Sequence, residues 1–274
     1  MNTQEMLQIA LDLAKLDYLP LDSGISVEGE NITKVLAGID MDTAELLLAK
    51  QEGYDCVVRH HNMVPMLGKL GELVAQDHFD KMIGHGIPVN VAQKLLAHRK
   101  LDTAMMFHGT NLDRARSAAK LMKMPYLGIH TPADLLGERA VESKIAEIYA
   151  KNSNPTVKEL LDNINTLREY SQAPEGQKPL IFVGEETSLA GKTIVEFAGG
   201  LAPELDEYKA YIDAGIGTFV CMHMDSSIAK SLREDNRCNV ICLGHMASDS
   251  IGMNIIFEAW KKQGIEVTCI GGLV

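Results

Sequence analysis

The chain has 274 residues, 46% of them hydrophobic, enough to bury a full core in one large domain or two modest ones. Its formal net charge of -11 and sequence pI near 5.3 set the surface against phosphate backbones, and no basic patch offsets this, so nucleic acid is not an expected partner. No apolar run approaches the roughly 18 residues that span a bilayer, which argues against a membrane partner.

The start, MNTQEMLQIALDLAKL, reads as an amphipathic helix without the basic region or cleavage site of a leader, which predicts a cytoplasmic protein. KVLAGID (34–40) reads as a strand, and MDTAELLLAKQEGY as its crossover helix, with Asp42 and Glu45 as a capping box and Gly53 as its stop. DCVVRH (55–60) is the next strand and completes a βαβ unit. TAMMFHG, MPYLGIH, KPLIFVG, GTFVCMH, CNVICLGH and EVTCIGG read as further short buried strands. NLDRARSAAKLMKM, ADLLGERAVESKIAEIYAK, TVKELLDNINTL, DSSIAKSLRED and SDSIGMNIIFEAWKKQG read as the helices between them, and REYSQAPEGQKP (168–179) as the most linker-like stretch. Strands buried on both faces and spaced by helices predict an α/β fold with largely parallel or mixed sheets flanked by helices. The expected organisation is two similar α/β lobes, 1–125 and 126–274, with a metal cleft between them at strand carboxyl ends, or one intertwined domain.

The five cysteines fall in apolar strand-like runs with no C-x-x-C, as small core residues would, so neither a disulfide framework nor a thiolate metal site is expected. FVGEETSLAGKT (182–193) ends like a phosphate loop. Six residues separate Gly184 from Gly191 where that motif has four, which argues against it.

Six of the nine histidines (His60, His61, His108, His130, His223, His245) fall at or just after predicted strand ends, where open α/β sheets bind ligands. His60 and His61 stand at a strand-to-loop junction, where both rings can turn into one cleft. In FHGTNLDRA, His108 precedes Asp113, which is either a ligand or the N-cap of the next helix. In LGHMASDSIG, His245 and Asp249 are four residues apart and share a helix face if the helix starts promptly after Gly244. His130 reads as a satisfied strand-end histidine. Imidazoles and carboxylates without thiolates suit Zn, Fe, Mn, Co or Ni in an open site that activates water, so the residues predict a metal-dependent hydrolase. The alternative is a metal-binding scaffold or adaptor without turnover.

The chain resembles the Nif-three-like proteins, also described as dinuclear-metal-centre hexameric proteins. DSGISVEGE, KVLAGIDMDTAELLLAKQEGYDCVVRHHNMV, FHGTNLD and CNVICLGHMASD match that family's motifs in order. The resemblance implies that His60, His61, Asp113, His245 and Asp249 bind two divalent ions per chain and that the protein is a homohexamer. It also implies a nucleotide or a small phosphoester or cyclic-amide substrate, since GTP cyclohydrolase-type chemistry and phosphoester hydrolysis are among the family's linked roles. Three departures stand out. FHGTNLD has one residue more between His108 and Asp113 than the family's spacing, the glycine-rich turn after that aspartate is replaced by RARSAAKL, and Asp249 stands where the family has glutamate. The shorter side chain predicts either that its helix sits closer to the metals or that His223, beside His245 and Asp249, assists; His108 and His223 are the candidate supporting residues.

Overall fold

A computed structural model describes residues 1–61, 65–197 and 201–274. Asn62, Met63 and Val64, which close the His-His block, lie outside the described residues. The chain opens with helix α1 (Thr3–Ala14), strands β1 (Gly24–Val27) and β2 (Lys34–Gly38), helix α2 (Thr43–Gln51) and strand β3 (Cys56–Arg59). Helices α3 (Leu70–Gly84), α4 (Val89–Leu95), α5 (Arg99–His108) and α6 (Arg114–Met122) precede β4 (Tyr126–Gly128). Then come α7 (Thr131–Tyr149), α8 (Val157–Ile164), α9 (Arg168–Gln172), β5 (Leu180–Val183) and β6 (Lys192–Glu196). The last elements are α10 (Leu205–Asp213), β7 (Ile216–Cys221), α11 (Ser226–Asp235), β8 (Asn239–Cys242), α12 (His245–Lys261) and β9 (Glu266–Cys269).

Two compact units result, each assembled from stretches that are separated along the chain: Met1–Leu73, Lys100–Leu136 and Asp249–Val274 form one, Val74–Arg99 and Gly137–Ser248 the other. A cut near residue 125 follows neither unit. The physical reason is in the first unit's sheet, where C-terminal β9 returns to pair in parallel with β2.

That sheet has the order β1-β4-β3-β2-β9, parallel except for β1 against β4. Side chains alternate faces along a strand. Val35, Ala37, Cys56 and Val58 pack with Met6 and Ala10 of α1 and with Met253, Phe257 and Trp260 of α12. Leu36 and Val57 point the other way, onto Leu46 of α2 and Ala115 and Ala119 of α6. The βαβ unit β2-α2-β3 forms as expected, with the Asp42–Glu45 capping box in place and Gly53 in the left-handed region at φ 72°. TAMMFHG is not a strand but the body of α5. Ala and Met favour helices, and the apolar part of that run, AMMF, has no Val or Ile to hold a buried strand.

The second unit's sheet has the order β5-β8-β7-β6, antiparallel only at β5. Gly191-Lys192-Thr193 runs into strand β6 rather than a helix N-terminus, so no phosphate cradle forms there. The linker-like stretch contains the short helix α9, whose Tyr170 is buried and shares a hydrogen bond with Ser248 at 3.0 Å. Four cysteines are buried and free, while Cys269 is exposed.

This unit also buries an ion network. Lys81 Nζ lies 3.0 Å from Glu138, 3.6 Å from Glu196 and 3.7 Å from Asp77. Burial pushes the Glu196 carboxyl above its ordinary range, against the pull of Lys81 and helped by Glu138. An acid whose folded pKa is raised leaves stability intact below the unfolded value and removes it as pH rises through the folded one. Glu196→Gln is therefore expected to raise the melting temperature at about pH 8 more than at about pH 4. Melts at both pH values check this, and a pH-independent difference would refute it.

Candidate metal centre

β3 ends at Arg59, and the backbone N–H of His60 donates to the Gly38 and Ile39 carbonyls while that of His61 donates to Ile39. The chain thus turns at the carboxyl ends of β2 and β3 with both imidazoles emerging there, ring centroids 4.9 Å apart. β4 lies beside β3, and Ile129 N–H donates to Arg59 O at 3.0 Å, which brings the residue after it to the same place. The His130 ring stands 4.7 Å from that of His60 and 5.4 Å from that of His61. α7 begins at once, so Asp134 sits on its first turn, and α12 supplies Asp249. All five residues belong to the first unit.

Each imidazole is oriented through Nδ1. His60 Nδ1 lies 3.0 Å from the Ile129 carbonyl, His61 Nδ1 3.0 Å from Asp40 Oδ1, and His130 Nδ1 2.8 Å from Asp22 Oδ2. Those oxygens only accept, so Nδ1 is the donor in all three rings and in the neutral imidazole the lone pair falls to Nε2, the arrangement that supporting residues impose on metal-ligating histidines. Asp22 is itself buried and also accepts from Thr131 Oγ1 at 2.7 Å and Ser23 Oγ at 3.1 Å. Burial pushes its carboxyl up, but His130 beside it and these hydrogen bonds hold it below its usual range.

The Nε2 atoms face two buried carboxylates. His60 Nε2 lies 3.2 Å from Asp134 Oδ1 and 3.5 Å from Asp249 Oδ1, His61 Nε2 3.4 Å from Asp249 Oδ2, and His130 Nε2 3.5 Å from Asp134 Oδ2. Burial works against a charged His60 ring, yet Asp249 and Asp134 outweigh it and raise its pKa well above the ordinary range. This pocket therefore favours positive charge. Nitrogen and oxygen ligand atoms gather within 4.8 Å of one another in the triads His60–His61–His130 and His60–Asp134–Asp249. His60 Nε2 and Asp134 Oδ1 are buried without a hydrogen-bond partner among the described residues, a costly state for polar atoms unless a cation engages them. A donor set of imidazole and carboxylate fits a borderline or hard divalent ion.

The remaining predicted residues are placed differently. Asp113 is the N-cap residue of α6, half-exposed, accepting a hydrogen bond from Ser117 Oγ and lying 3.5 Å from Arg116; it is not in these triads. His108 closes α5, exposed, rather than following a strand. His245 opens α12 one turn before Asp249, after Gly244, whose φ of 91° makes the turn out of β8. His223 is exposed with its ring 4.8 Å from that of His245, and both line a cavity of about 400 Å³ with Met222, Met224 and Met246. In the sequence His130 looks like a satisfied strand-end histidine, and nothing there marks Asp134 or Asp22 as site residues. The available signal was the spacing His130-x-x-x-Asp134, identical to His245-x-x-x-Asp249.

A crystal structure of a NIF3 superfamily protein from Sphaerobacter thermophilus is 32% identical, covering 100% of this chain and 99% of that one at a TM-score of 0.94. Reduced HcgD from Methanocaldococcus jannaschii is 14% identical over 98% of this chain and 97% of its own, at a TM-score of 0.59. Protein SA1388 from Staphylococcus aureus is 12% identical over 98% and 96%, at 0.54. The last two likenesses show the fold alone. No family model matches the chain, and no curated protein matches it.

Proposed function

We propose, from the premise that the chain belongs to the NIF3 superfamily, that it is a metal-dependent hydrolase whose divalent ions are held around His60, His61 and Asp249. The observation that carries this is the set of imidazoles whose Nδ1 atoms are all engaged, presenting Nε2 to buried carboxylates. His245 belongs to the proposal through its place one helical turn before Asp249. A divalent ion supplies a Lewis acid and brings the pKa of water towards neutrality. The protein's own part is to orient the donors: Asp40 fixes His61, whose side chain is 23% exposed and so gives the cluster a solvent-facing side.

The substrate class that follows is a nucleotide or a small phosphoester or cyclic amide. Purified protein loaded in turn with Zn, Mn, Co, Ni and Fe(II) and offered a panel of these substrates should release product with at least one metal and lose it on chelation. Metal uptake without turnover on any of them would leave the second reading, a metal-binding scaffold. We further propose a homohexamer, for which Leu101, Met105 and Met106, exposed on α5, offer apolar interface. A sedimentation mass near six times the 30.0 kDa chain is expected, and a mass near one chain would refute it. Among the described residues, no helix is long and apolar enough to cross a membrane. The four buried cysteines are thiols outside any disulfide, which suits a cytoplasmic place.

A further inference from the structure

We propose that the second unit holds a separate binding slot, between α7 and the free edge of β6, for a small organic cation that also carries an amide. The slot uses none of the residues of the metal centre and does not rest on the metal-binding reading.

The strand edge supplies the amide's partners. β6 is the last strand of its sheet and pairs with β7 on one side only. On its other side α7 closes the two ends: the Tyr149 hydroxyl donates to the Gly191 carbonyl, and Phe197 N–H donates to Glu138 Oε2 at 3.0 Å. Alternate residues of a strand turn their backbone groups to opposite sides, so Thr193 and Val195, between those ends, turn theirs the same way. Beyond the β6–β7 ladder, no described residue bonds these N–H and C=O groups. Val195 is nevertheless only 7% exposed, and buried backbone groups normally have partners. Both residues border a cavity of about 440 Å³, walled by Ile145 and Ala146 of α7 and by Lys81 of α3. The open edge from Thr193 to Val195 is about 7 Å long, too short for an added strand and sufficient for one amide.

The charge of the slot sets the sign of its ligand. Lys81 has Glu138, Glu196 and Asp77 around it, and Glu142 lines the same cavity one helical turn after Glu138. Four carboxylates thus surround one ammonium. The next nearest, Lys192, lies with Nζ 3.5 Å from the His85 carbonyl. Burial, with Lys192 and Lys81, holds the His85 ring below its ordinary range, so it adds no charge at neutral pH. Glu142 has no ion-pair partner among the described residues, and burial together with Glu138 pushes its carboxyl above the ordinary range. Glu196 Oε1, on a side chain 4% exposed, has no hydrogen-bond partner among them either. A cation beside Glu138 and Glu142 offsets this surplus, whereas an anion adds to it.

The test titrates N-acetyl-lysine N-methylamide into the full-length protein by calorimetry, with and without Zn²⁺. Saturable binding at about 1 mM or tighter is expected, unchanged by the metal. N-acetyl-norleucine N-methylamide lacks only the ammonium, and pentylamine keeps the ammonium without the amides; each should bind about tenfold more weakly. Glu142→Gln should weaken the lysine compound by about fivefold. Ala146→Phe, which fills the slot from α7 without touching a charge, should abolish its binding. A cooperative thermal melt shows that each variant is folded. No saturable binding of the lysine compound, equal binding of the norleucine compound, or wild-type affinity in either variant overturns the proposal. Binding that appears only with Zn²⁺ would place the compound at the metal centre and equally overturn it.

Discussion

Gly252→Ala is expected to destabilise the first unit by about 3 kcal/mol and to weaken metal binding with it. A Cβ built on Gly252 would stand 1.8 Å from the Ala133 carbonyl oxygen and 2.8 Å from its Cα, both backbone atoms of α7 that no rotamer change can move. Alanine's better helix propensity, about 1 kcal/mol, does not offset a clash of that depth. The helices must part instead. Ala133 lies in the first turn of α7, which also carries Asp134 and follows directly on His130, and α12 carries Asp249 one turn before Gly252. Separation of the two helices therefore lengthens the contacts of both carboxylates with His60 at once. Thermal melts of the metal-free variant, followed by Zn²⁺ titration, report the two effects separately. A melting temperature equal to wild type would show that the close crossing matters little.

The same residues show why some of the molecule was legible in the sequence and some was not. β2, β3, β7 and β8 were legible because strands buried on both faces must be apolar throughout, and α2 because Asp42, Glu45 and Gly53 mark its ends. β6, KTIVE, was hidden by a polar start that resembles the end of a phosphate loop. α5 is ambiguous in the sequence because a run of Ala, Met, Met and Phe has no period long enough to separate helix from strand. In the site, His60 and His61 declare themselves by adjacency, and Asp249 by its spacing from His245. His130, Asp134 and Asp22 do not, because their meaning depends on sheet order. Nothing local to HTPAD says that β4 lies between β1 and β3, yet that neighbourhood alone brings His130 to His60 and Asp22 to His130. Asp113 shows the converse: a motif match in sequence becomes an outward-facing residue at a helix start, its carboxylate turned to Ser117 and Arg116, once α5 replaces the expected strand.

Sheet order also answers how an aspartate can serve where the resemblance leads one to expect glutamate. Of the two routes, a closer helix and an assisting His223, the first accounts for the contacts within the first unit: Asp249 already reaches His60 and His61 at 3.5 and 3.4 Å while fully buried. Gly252 permits that approach by letting α12 lie against the α7 backbone. Asp249→Glu, although it restores the expected residue, should then be harmful. Asp249 is already buried against both rings, so the added methylene drives the carboxylate into two imidazoles held in place by Ile129 and Asp40, an overpacking cost of about 1–3 kcal/mol. Zn²⁺ affinity should fall by about tenfold or more, since 1.4 kcal/mol is a factor of ten. Gly252→Ala moves the helix outwards, which is the space that a glutamate needs. The double variant should therefore bind Zn²⁺ better than the two single losses predict, with a favourable coupling of about 1 kcal/mol or more. Strict additivity in that cycle would show that the glycine crossing and the short carboxylate are unrelated features of this chain.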